Sequence, residues 1–295
     1  MDQIPQLLVN GISLGSIIAL AAVGLTLTYG ILRLSNFAHG DYMTLGAYLT
    51  LMFDALLNNF LGANIFNVWL AIAISTVLMI GYALLCEKIL WKPMRAKRAS
   101  STTLVILSIG LALFMRNAVI LFWGAGSQRY QLPVPEALDV LGVKIRVFDL
   151  VVTVLAVVAI AGLHYLLQNT KIGKAMRAVA DDIDLARVTG INVDRVVMWT
   201  WIIAGGLTAL GGSMFGLIEA VRPNMGWFLI LPLFASVILG GIGNPYGAIA
   251  GAFIIGIAQE VCTLFIPVQY KTGIALLIMM LVLIVRPQGL FRGTM

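Results

Sequence analysis

Charged residues are scarce in this chain: Asp, Glu, Lys and Arg make up 11% of its 295 residues, whereas hydrophobic residues make up 60%. Soluble globular domains carry about 25% charged residues, so a water-soluble fold is excluded. The mean hydropathy is +0.99, and the apolar runs reach the roughly 20 residues that a helix needs to cross a bilayer. Strands of a membrane barrel would instead alternate over segments of about ten residues. The sequence therefore predicts an all-α, polytopic membrane helical bundle forming a single transmembrane domain, 1–295.

Cysteine and histidine are equally rare, with two of each. Cys86 and Cys262 fall in different apolar runs and at different depths, so neither a disulfide nor a metal site is indicated. The zinc-protease pattern H-E-x-x-H and the phosphate loop G-x-x-x-x-G-K-[ST] are both missing. No polar stretch is long enough for a nucleotide-binding domain. We therefore expect no enzyme activity, no bound metal and no cofactor in this chain.

The apolar runs predict nine spans, and eight or ten remain open because two segments contain polar or turn-forming residues. The predicted spans are 7–32, 40–58, 66–87, 101–123, 148–167, 197–219, 227–243, 246–266 and 272–285. No Lys or Arg precedes Arg33, so the first span lacks the basic start of a cleaved signal peptide and is expected to be retained.

The net charge of +6 is distributed by side of the membrane, which argues against a nucleic-acid groove. Arg116 lies within a span, and five of the other 18 Lys and Arg lie on one side: Arg129, Lys144, Arg146, Arg222 and Lys271. The remaining thirteen lie on the opposite side: Arg33, Lys88, Lys92, Arg95, Lys97, Arg98, Lys171, Lys174, Arg177, Arg187, Arg195, Arg286 and Arg292. This bias predicts an extracytoplasmic N-terminus and a cytoplasmic C-terminus.

A polar island, 168–196, interrupts the apolar sequence between two spans and reads QNTKIGKAMRAVADDIDLARVTGINVDRV. Ile172, Ala175, Met176 and Val179 fall at i, i+3, i+4 and i+7, which predicts one apolar stripe on a short amphipathic helix. The charge bias places this helix on the cytoplasmic side. We interpret it as a segment that grips another protein.

Two further blocks place polar or glycine residues at the membrane. In SNFAHGDYMTLGAY (35–48), the polar groups predict either helix capping with interhelical bonds or a part in the permeation path, for which Asn36, His39 and Gly40 are the candidates. In GGIGNPYG (240–247), Gly240, Gly241 and Gly243 predict either a tight turn or part of an inner gate. Glycine pairs four residues apart predict close helix packing or, as the alternative, a substrate path lined by backbone: Gly11/Gly15, Gly212/Gly216 and Gly247/Gly251.

Arg116 and Glu260 are the charges placed deepest in the predicted spans, at similar depth. Because unpaired charges are costly in a membrane, the matched depth predicts an intramembrane ion pair between them. The alternative is direct contact with a substrate.

Four blocks, taken together, resemble the permease subunits of high-affinity branched-chain amino acid ABC importers, the Liv-type family. They lie in the same order along nearly the whole chain: GISLGSIIALAAVGLTLTYGIL (11–32), NFAHGDYMTLGAY (36–48), GKAMRAVADDIDLARVTGINVDRV (173–196) and VILGGIGNPYGAIAGAFIIG (237–256). Similar permeases tend to carry a glutamate where this chain has Gln259, one position before Glu260.

The resemblance implies a subunit of the cytoplasmic (inner) membrane of a bacterium. Its implied partners are a second homologous permease, two ABC ATPases that bind ATP and Mg, an extracytoplasmic amino acid binding protein, and membrane lipid. It also implies that island residues dock in the ATPases as a coupling helix, and the matching positions are Gly173, Ala180, Asp181, Ala186, Gly190, Ile191 and Asn192.

Two alternatives stay open for the function. The same architecture could carry urea or short amides, since similar permeases serve both classes of cargo. A secondary carrier or channel acting alone is the other alternative, against which the surface helix and the lack of an intramembrane carboxylate relay both argue.

Overall fold

The computed structural model describes residues 3–62, 64–132, 137–140, 143–286 and 288–291, so Arg292 of the charge count lies outside the described residues. The helices are α1 (Ile4–Leu32), α2 (His39–Leu61), α3 (Ile65–Cys86), α4 (Lys92–Ala96), α5 (Ser101–Trp123), α6 (Val147–Asn169), α7 (Lys171–Asp181), α8 (Ile183–Val188), α9 (Val193–Ile218), α10 (Met225–Gly240), α11 (Pro245–Val261) and α12 (Lys271–Val285). A π-helical turn, Glu87–Trp91, joins α3 to α4, and two 3-10 turns, Cys262–Leu264 and Val268–Tyr270, join α11 to α12.

The predicted membrane helical bundle is confirmed. Seven helical segments of the described chain are long and apolar enough to cross a bilayer. Two predicted spans differ: α10 has only 16 residues, and α2 carries Asp41 and Asp54 among its buried residues. A short antiparallel hairpin, β1 (Ala137–Val140) with β2 (Val143–Arg146), precedes α6. The sequence analysis does not predict it, because strands of four residues show too little alternation.

α1 is the central helix and packs against α6, α9, α10 and α11. Small residues permit this closeness, since helix association in a membrane depends on van der Waals packing rather than on a hydrophobic driving force. A Cβ added at Gly11 would lie 2.7 Å from Ile257 Cα, and one at Gly256 would lie 2.6 Å from Gly15 Cα. The packing interpretation of the Gly11/Gly15 pair is therefore confirmed.

α2 begins inside the bundle rather than at its edge. His39 Nε2 lies 2.9 Å from the carbonyl oxygen of Ala21, which at 1.5 Å per residue is about 16 Å along α1 from Leu32. The start of α10 lies at the same level, because a Cβ at Gly40 would meet the Gly226 carbonyl oxygen at 2.1 Å. Two helices therefore start within the membrane region, an arrangement typical of transporters.

The non-helical segment 33–38 is tolerated at this depth because its polar main-chain groups find protein partners. Asn36 Oδ1 accepts from the Ala38 N–H at 3.1 Å, and Ser108 Oγ of α5 accepts from the Phe37 N–H at 3.1 Å. The Asn36 side chain is fully buried. Asn36 therefore stabilises the turn before α2, but the N-cap residue of α2 is Ala38 and no side chain caps it, so the capping interpretation is wrong for Asn36.

Candidate functional site

The polar island folds as α7, α8 and the first turn of α9. A side chain caps the N-terminus of each of these three helices. Thr170, Asp182 and Asn192 each accept main-chain N–H groups two or three residues ahead, at 2.9 to 3.1 Å. Gly190, at φ +87°, supplies the left-handed residue between α8 and α9. The fold of this segment is therefore specified locally by its own sequence.

α7 is seated on the bundle through its apolar face, as the helical spacing predicts. Met176, Val179 and Ala180 are buried, and the Ala180 carbonyl accepts from Arg33 Nη2 at 3.4 Å. The closest contact is at Gly173, where an added Cβ would lie 2.3 Å from the Leu166 carbonyl oxygen. The first turn of α7 is thus wedged against the end of α6, and a displacement of α7 must push on a spanning helix.

The structure divides the seven predicted coupling residues into two groups. Gly173, Ala180 and Ala186 are buried, Ile191 is half-buried, and Asp181, Gly190 and Asn192 are exposed. The buried residues hold the segment in place, so only the exposed ones are available to a partner. Their docking role stays a prediction.

Three apolar residues of α8, which sequence reasoning missed, are exposed on this surface. Ile183 is 38% exposed, Leu185 60% and Val188 80%. Apolar side chains that face water in a charged segment mark a surface that another protein covers. The signal was present in the sequence IDLARV, in which these residues alternate with Asp and Arg. We call these three residues the α8 patch.

A cleft of about 550 Å³ lies beside the α8 patch, between the end of α1, α4, the α7–α8 junction and the start of α9. Four cations line it: Arg33, Lys92, Arg95 and Arg187. All four are among the thirteen Lys and Arg residues that the sequence predicts on the cytoplasmic side. We call this end of the molecule the basic end of the bundle.

The glycine-rich turn 240–247 lies at the basic end as well. It is hydrogen-bonded to the polar island, 168–196, which we call the coupling segment after its predicted role. The Tyr246 hydroxyl lies 2.9 Å from His164 Nδ1 and accepts from Gln168 Nε2 at 3.2 Å. Gln168 Oε1 in turn accepts from Arg177 of α7 at 3.0 Å. Two motifs that are far apart in the sequence therefore share one hydrogen-bonded chain.

The candidate gate glycines occupy turn and packing positions. Gly241 (φ +100°) and Gly243 (φ +89°) have left-handed backbones, and the Gly243 N–H donates to Thr26 Oγ1 at 2.9 Å. A Cβ at Gly240 would lie 2.1 Å from the Gly247 carbonyl oxygen. The turn interpretation is confirmed, and a gating role stays a prediction.

The candidate path residues at the start of α2 are buried. His39 Nε2 is held by the Ala21 carbonyl and by Thr208 Oγ1, both at 2.9 Å. Neither His39, Asn36 nor Gly40 lines the cavities described here. The structure therefore brings these residues together at the helix break, where they link α1, α2, α9 and α10.

A second connection between helices lies at the π-helical turn, and sequence reasoning missed it. The Glu87 carboxylate pairs with Arg95 of α4 and accepts from Trp201 Nε1 of α9 at 2.7 Å. The rings of Trp91 and Trp201 stack at 6.3 Å between centroids. π-Helical turns are frequent at functional sites. This one ties the first turns of α9, directly after the coupling segment, to α3.

A polar junction joins α2, α3 and α9 in the interior. Thr50 Oγ1 lies 2.6 Å from Ser75 Oγ and 2.8 Å from Ser213 Oγ. Nearby, the hydroxyl of the buried Tyr130 donates to the Ser213 carbonyl at 3.2 Å. Small hydroxyl residues scattered over three spans gave no sequence signal for this contact.

The predicted ion pair between Arg116 and Glu260 is wrong. Arg116 Nε lies 3.4 Å from Asp41 Oδ1, and Glu260 Oε1 lies 2.8 Å from Lys271 Nζ. The reason is lateral position: α5 packs on α2, whereas α11 packs on α1, α10 and α12. Matched depth does not bring two helices together.

Replacing Arg116 by glutamine should destabilise the protein, because the carboxylate of Asp41 is then left buried without its cation. The side chains are 17% and 2% exposed, and breaking a buried pair costs about 3–5 kcal/mol. Thermal unfolding in detergent measures the loss.

Adding Asp41→Asn to the Arg116→Gln variant should restore part of the lost stability, whereas restoration by Glu260→Gln instead would contradict this pairing. Lys92→Gln, which breaks the exposed pair with Asp194, is the control and should change stability by less than about 1 kcal/mol.

Comparison with known proteins agrees with this architecture. Residues 7–284 match the family model described as branched-chain amino acid transport system / permease component. The high-affinity branched-chain amino acid transport system permease protein LivH of Escherichia coli (strain K12) is 31% identical over 97% of this chain and 94% of its own length. The corresponding protein BraD of Pseudomonas aeruginosa is 28% identical with the same coverage.

Among solved structures, PsaBC from Streptococcus pneumoniae in complex with Fab superimposes with a TM-score of 0.50 and 14% identity, over 96% of this chain and 92% of that chain. At this identity the likeness concerns the fold alone. The match over 7–284 and the relatives of almost equal length decide the family. This chain belongs to the permease components of the branched-chain amino acid transport systems.

Proposed function

We propose that the chain is one membrane subunit of an ATP-driven importer for branched-chain or other neutral amino acids in the cytoplasmic membrane. The proposed assembly contains a second permease, two ATPases and an extracytoplasmic binding protein. The observation that carries the proposal is the α8 patch: three water-facing apolar side chains on a segment whose helices are each capped at the N-terminus and which is wedged against α6. An isolated carrier has no use for such a surface.

The contacts of the coupling segment indicate how movement would reach the bundle. A partner that displaces α8 moves α7, which pushes the end of α6 at Gly173. The same displacement acts on the start of α9, and Trp201 passes it to α3 through Glu87. Tilting these helices relative to one another would expose a path alternately to each side of the membrane.

Purification of the tagged chain with its native partners tests the assembly, and reconstitution tests the transport. We expect two ATPases and a second permease to co-purify, as identified by mass spectrometry. Proteoliposomes containing the complex, with ATP inside and binding protein outside, should accumulate labelled leucine. Liposomes with this chain alone should not.

Two results would contradict the proposal in different ways. Solute movement by the chain alone would favour a secondary carrier. Uptake of urea or acetamide, but not of leucine, by the intact complex would keep the ATP-driven architecture and replace the cargo.

A further inference from the structure

A cavity of about 440 Å³ opens at the end of the bundle opposite to the basic end. Six helices form its walls: the N-terminal parts of α1, α6, α10 and α12, and the C-terminal ends of α9 and α11. Three of the five cations that the charge count assigned to the extracytoplasmic side line it: Arg146, Arg222 and Lys271. In the predicted orientation this cavity faces the binding protein.

Two ion pairs line the cavity, and in one of them both carboxylate oxygens already accept hydrogen bonds. Asp149 is 3% exposed and accepts from Arg146 Nε at 2.8 Å. Its other oxygen accepts from Arg146 Nη2 at 3.2 Å and from Ser13 Oγ at 3.3 Å. Both carboxylate oxygens are therefore occupied. This pair is suited to holding the wall rather than to binding a ligand.

The second ion pair retains free donors and a free acceptor. Lys271 Nζ donates to Glu260 Oε1 at 2.8 Å, and the side chains are 33% and 15% exposed. Within the described residues, neither side chain makes another hydrogen bond. An ammonium group has three donors and a carboxylate two acceptor oxygens. Lys271 therefore keeps two N–H donors, and Glu260 keeps Oε2.

An ion pair with unused donors and an unused acceptor complements the two charged groups of a free amino acid. The α-carboxylate and α-ammonium groups are carried by one carbon atom. If they lie antiparallel to the Lys271–Glu260 pair, each charge of the ligand meets its opposite, and both contacts are charge-assisted hydrogen bonds. Urea and neutral amides can also hydrogen-bond to these two groups, but they carry no charge and would form neither ion pair.

The rest of the cavity fits an apolar side chain. Leu14, Leu229 and Pro232 are buried residues of its wall, and the exposed Phe228 also lines it. Pro232 has no N–H, so the Phe228 carbonyl lacks its usual helical donor. Polar and apolar residues line the cavity in similar numbers, which suits a ligand that carries charged groups at one end and an apolar side chain at the other.

We propose that this cavity is an amino acid site of the permease, in which Lys271 binds the α-carboxylate and Glu260 the α-ammonium group of a ligand with an apolar side chain. The inference rests on the proposed function. It adds that the permease itself recognises the zwitterion after the binding protein releases it.

Direct binding of labelled leucine to the purified complex, with the binding protein omitted, tests the site. We expect weak, saturable binding, with a Kd on the order of 1 mM. Leucinamide, which lacks the carboxylate charge, and 4-methylpentanoate, which lacks the ammonium group, should compete at least tenfold less well. Lys271→Gln should abolish the preference for leucine over leucinamide, and Glu260→Gln should abolish the preference over 4-methylpentanoate.

Because each of the two variants should lose a different preference, the result distinguishes ligand recognition from a structural role of the ion pair. Lys271→Arg should restore the discrimination against leucinamide, and Lys144→Gln, at an exposed lysine outside the cavity, should leave both preferences unchanged. If both pair variants assemble with the ATPases but lower binding of all three compounds equally, the pair is structural and the inference is wrong. A wild-type complex that imports leucine but shows no saturable binding also overturns it. A complex that does not import leucine at all contradicts the proposed function instead.

Discussion

Replacing Gly40 by valine should prevent the chain from accumulating as a folded permease. A Cβ at Gly40 would lie 2.1 Å from the carbonyl oxygen of Gly226, and a Cβ at Gly226 would lie 2.1 Å from that of Gly40. Both contacts are with main-chain atoms, so no change of rotamer relieves them. The starts of α2 and α10 must separate, and we expect a loss on the order of 3 kcal/mol or more. Thermal unfolding and the yield of monodisperse protein in detergent measure it.

The matched control is Gly110→Val in α5. An added Cβ there has nothing within 4 Å, so yield and unfolding temperature should stay near those of the wild type. If Gly40→Val is as stable as the wild type but does not transport, close helix approach is not the reason for this glycine. Gly40 would then act in the permeation path, the alternative that its sequence block left open.

The bundle could be predicted from the sequence because apolar length and charge bias are local properties of the chain. All nine predicted spans contain a helix of the structure. The helix break before His39 could not be predicted, because hydropathy reports how apolar a segment is and not the depth at which it begins. His39 and Asp41 are explained only by tertiary contacts, with Ala21 and Arg116 respectively.

The partners of the charged residues Arg116 and Glu260 could not be predicted from the sequence either. Arg116 and Glu260 were matched by depth alone, and nothing in one sequence reports which helices are neighbours. Lys271, the actual partner of Glu260, lies only eleven residues further along the chain, across the α11–α12 connection. In the sequence this lysine lies outside the predicted spans, so its depth does not indicate that it pairs with Glu260.

The coupling segment was the part of the site that the sequence specified best. Its helix and its apolar stripe are both found in the structure. Which side of α8 faces water was not evident, because α8 has only six residues and its apolar positions follow no clear helical period. Ala186, expected at the docking surface, faces the bundle, whereas Leu185 and Val188 face water.

Changing Leu185 and Val188 together to glutamate should abolish ATP-driven uptake while leaving the permease folded. Both side chains are largely exposed, at 60% and 80%, so no core contact is lost. In a docked complex, however, the two carboxylates would be buried without partners, and each uncompensated charge costs several kcal/mol. We expect the affinity for the ATPases to fall by more than about 100-fold, since 1.4 kcal/mol corresponds to a factor of ten. Retention of the ATPases on the tagged permease and leucine-stimulated ATP hydrolysis measure the effect.

Phe265→Glu is the matched control, because Phe265 is 83% exposed and lies between α11 and α12, at the end opposite to α8. It should retain both ATPases, which shows that an exposed phenylalanine-to-carboxylate change does not by itself disrupt assembly. Ala180→Trp would be a poorer probe, since Ala180 is buried and the larger ring would distort α7 itself.

If the double variant of Leu185 and Val188 keeps both ATPases and wild-type uptake, the α8 patch does not dock. The partner would then have to engage the cleft lined by Arg33 and Arg187, and movement would enter the bundle through α1 and α4 instead of through α7.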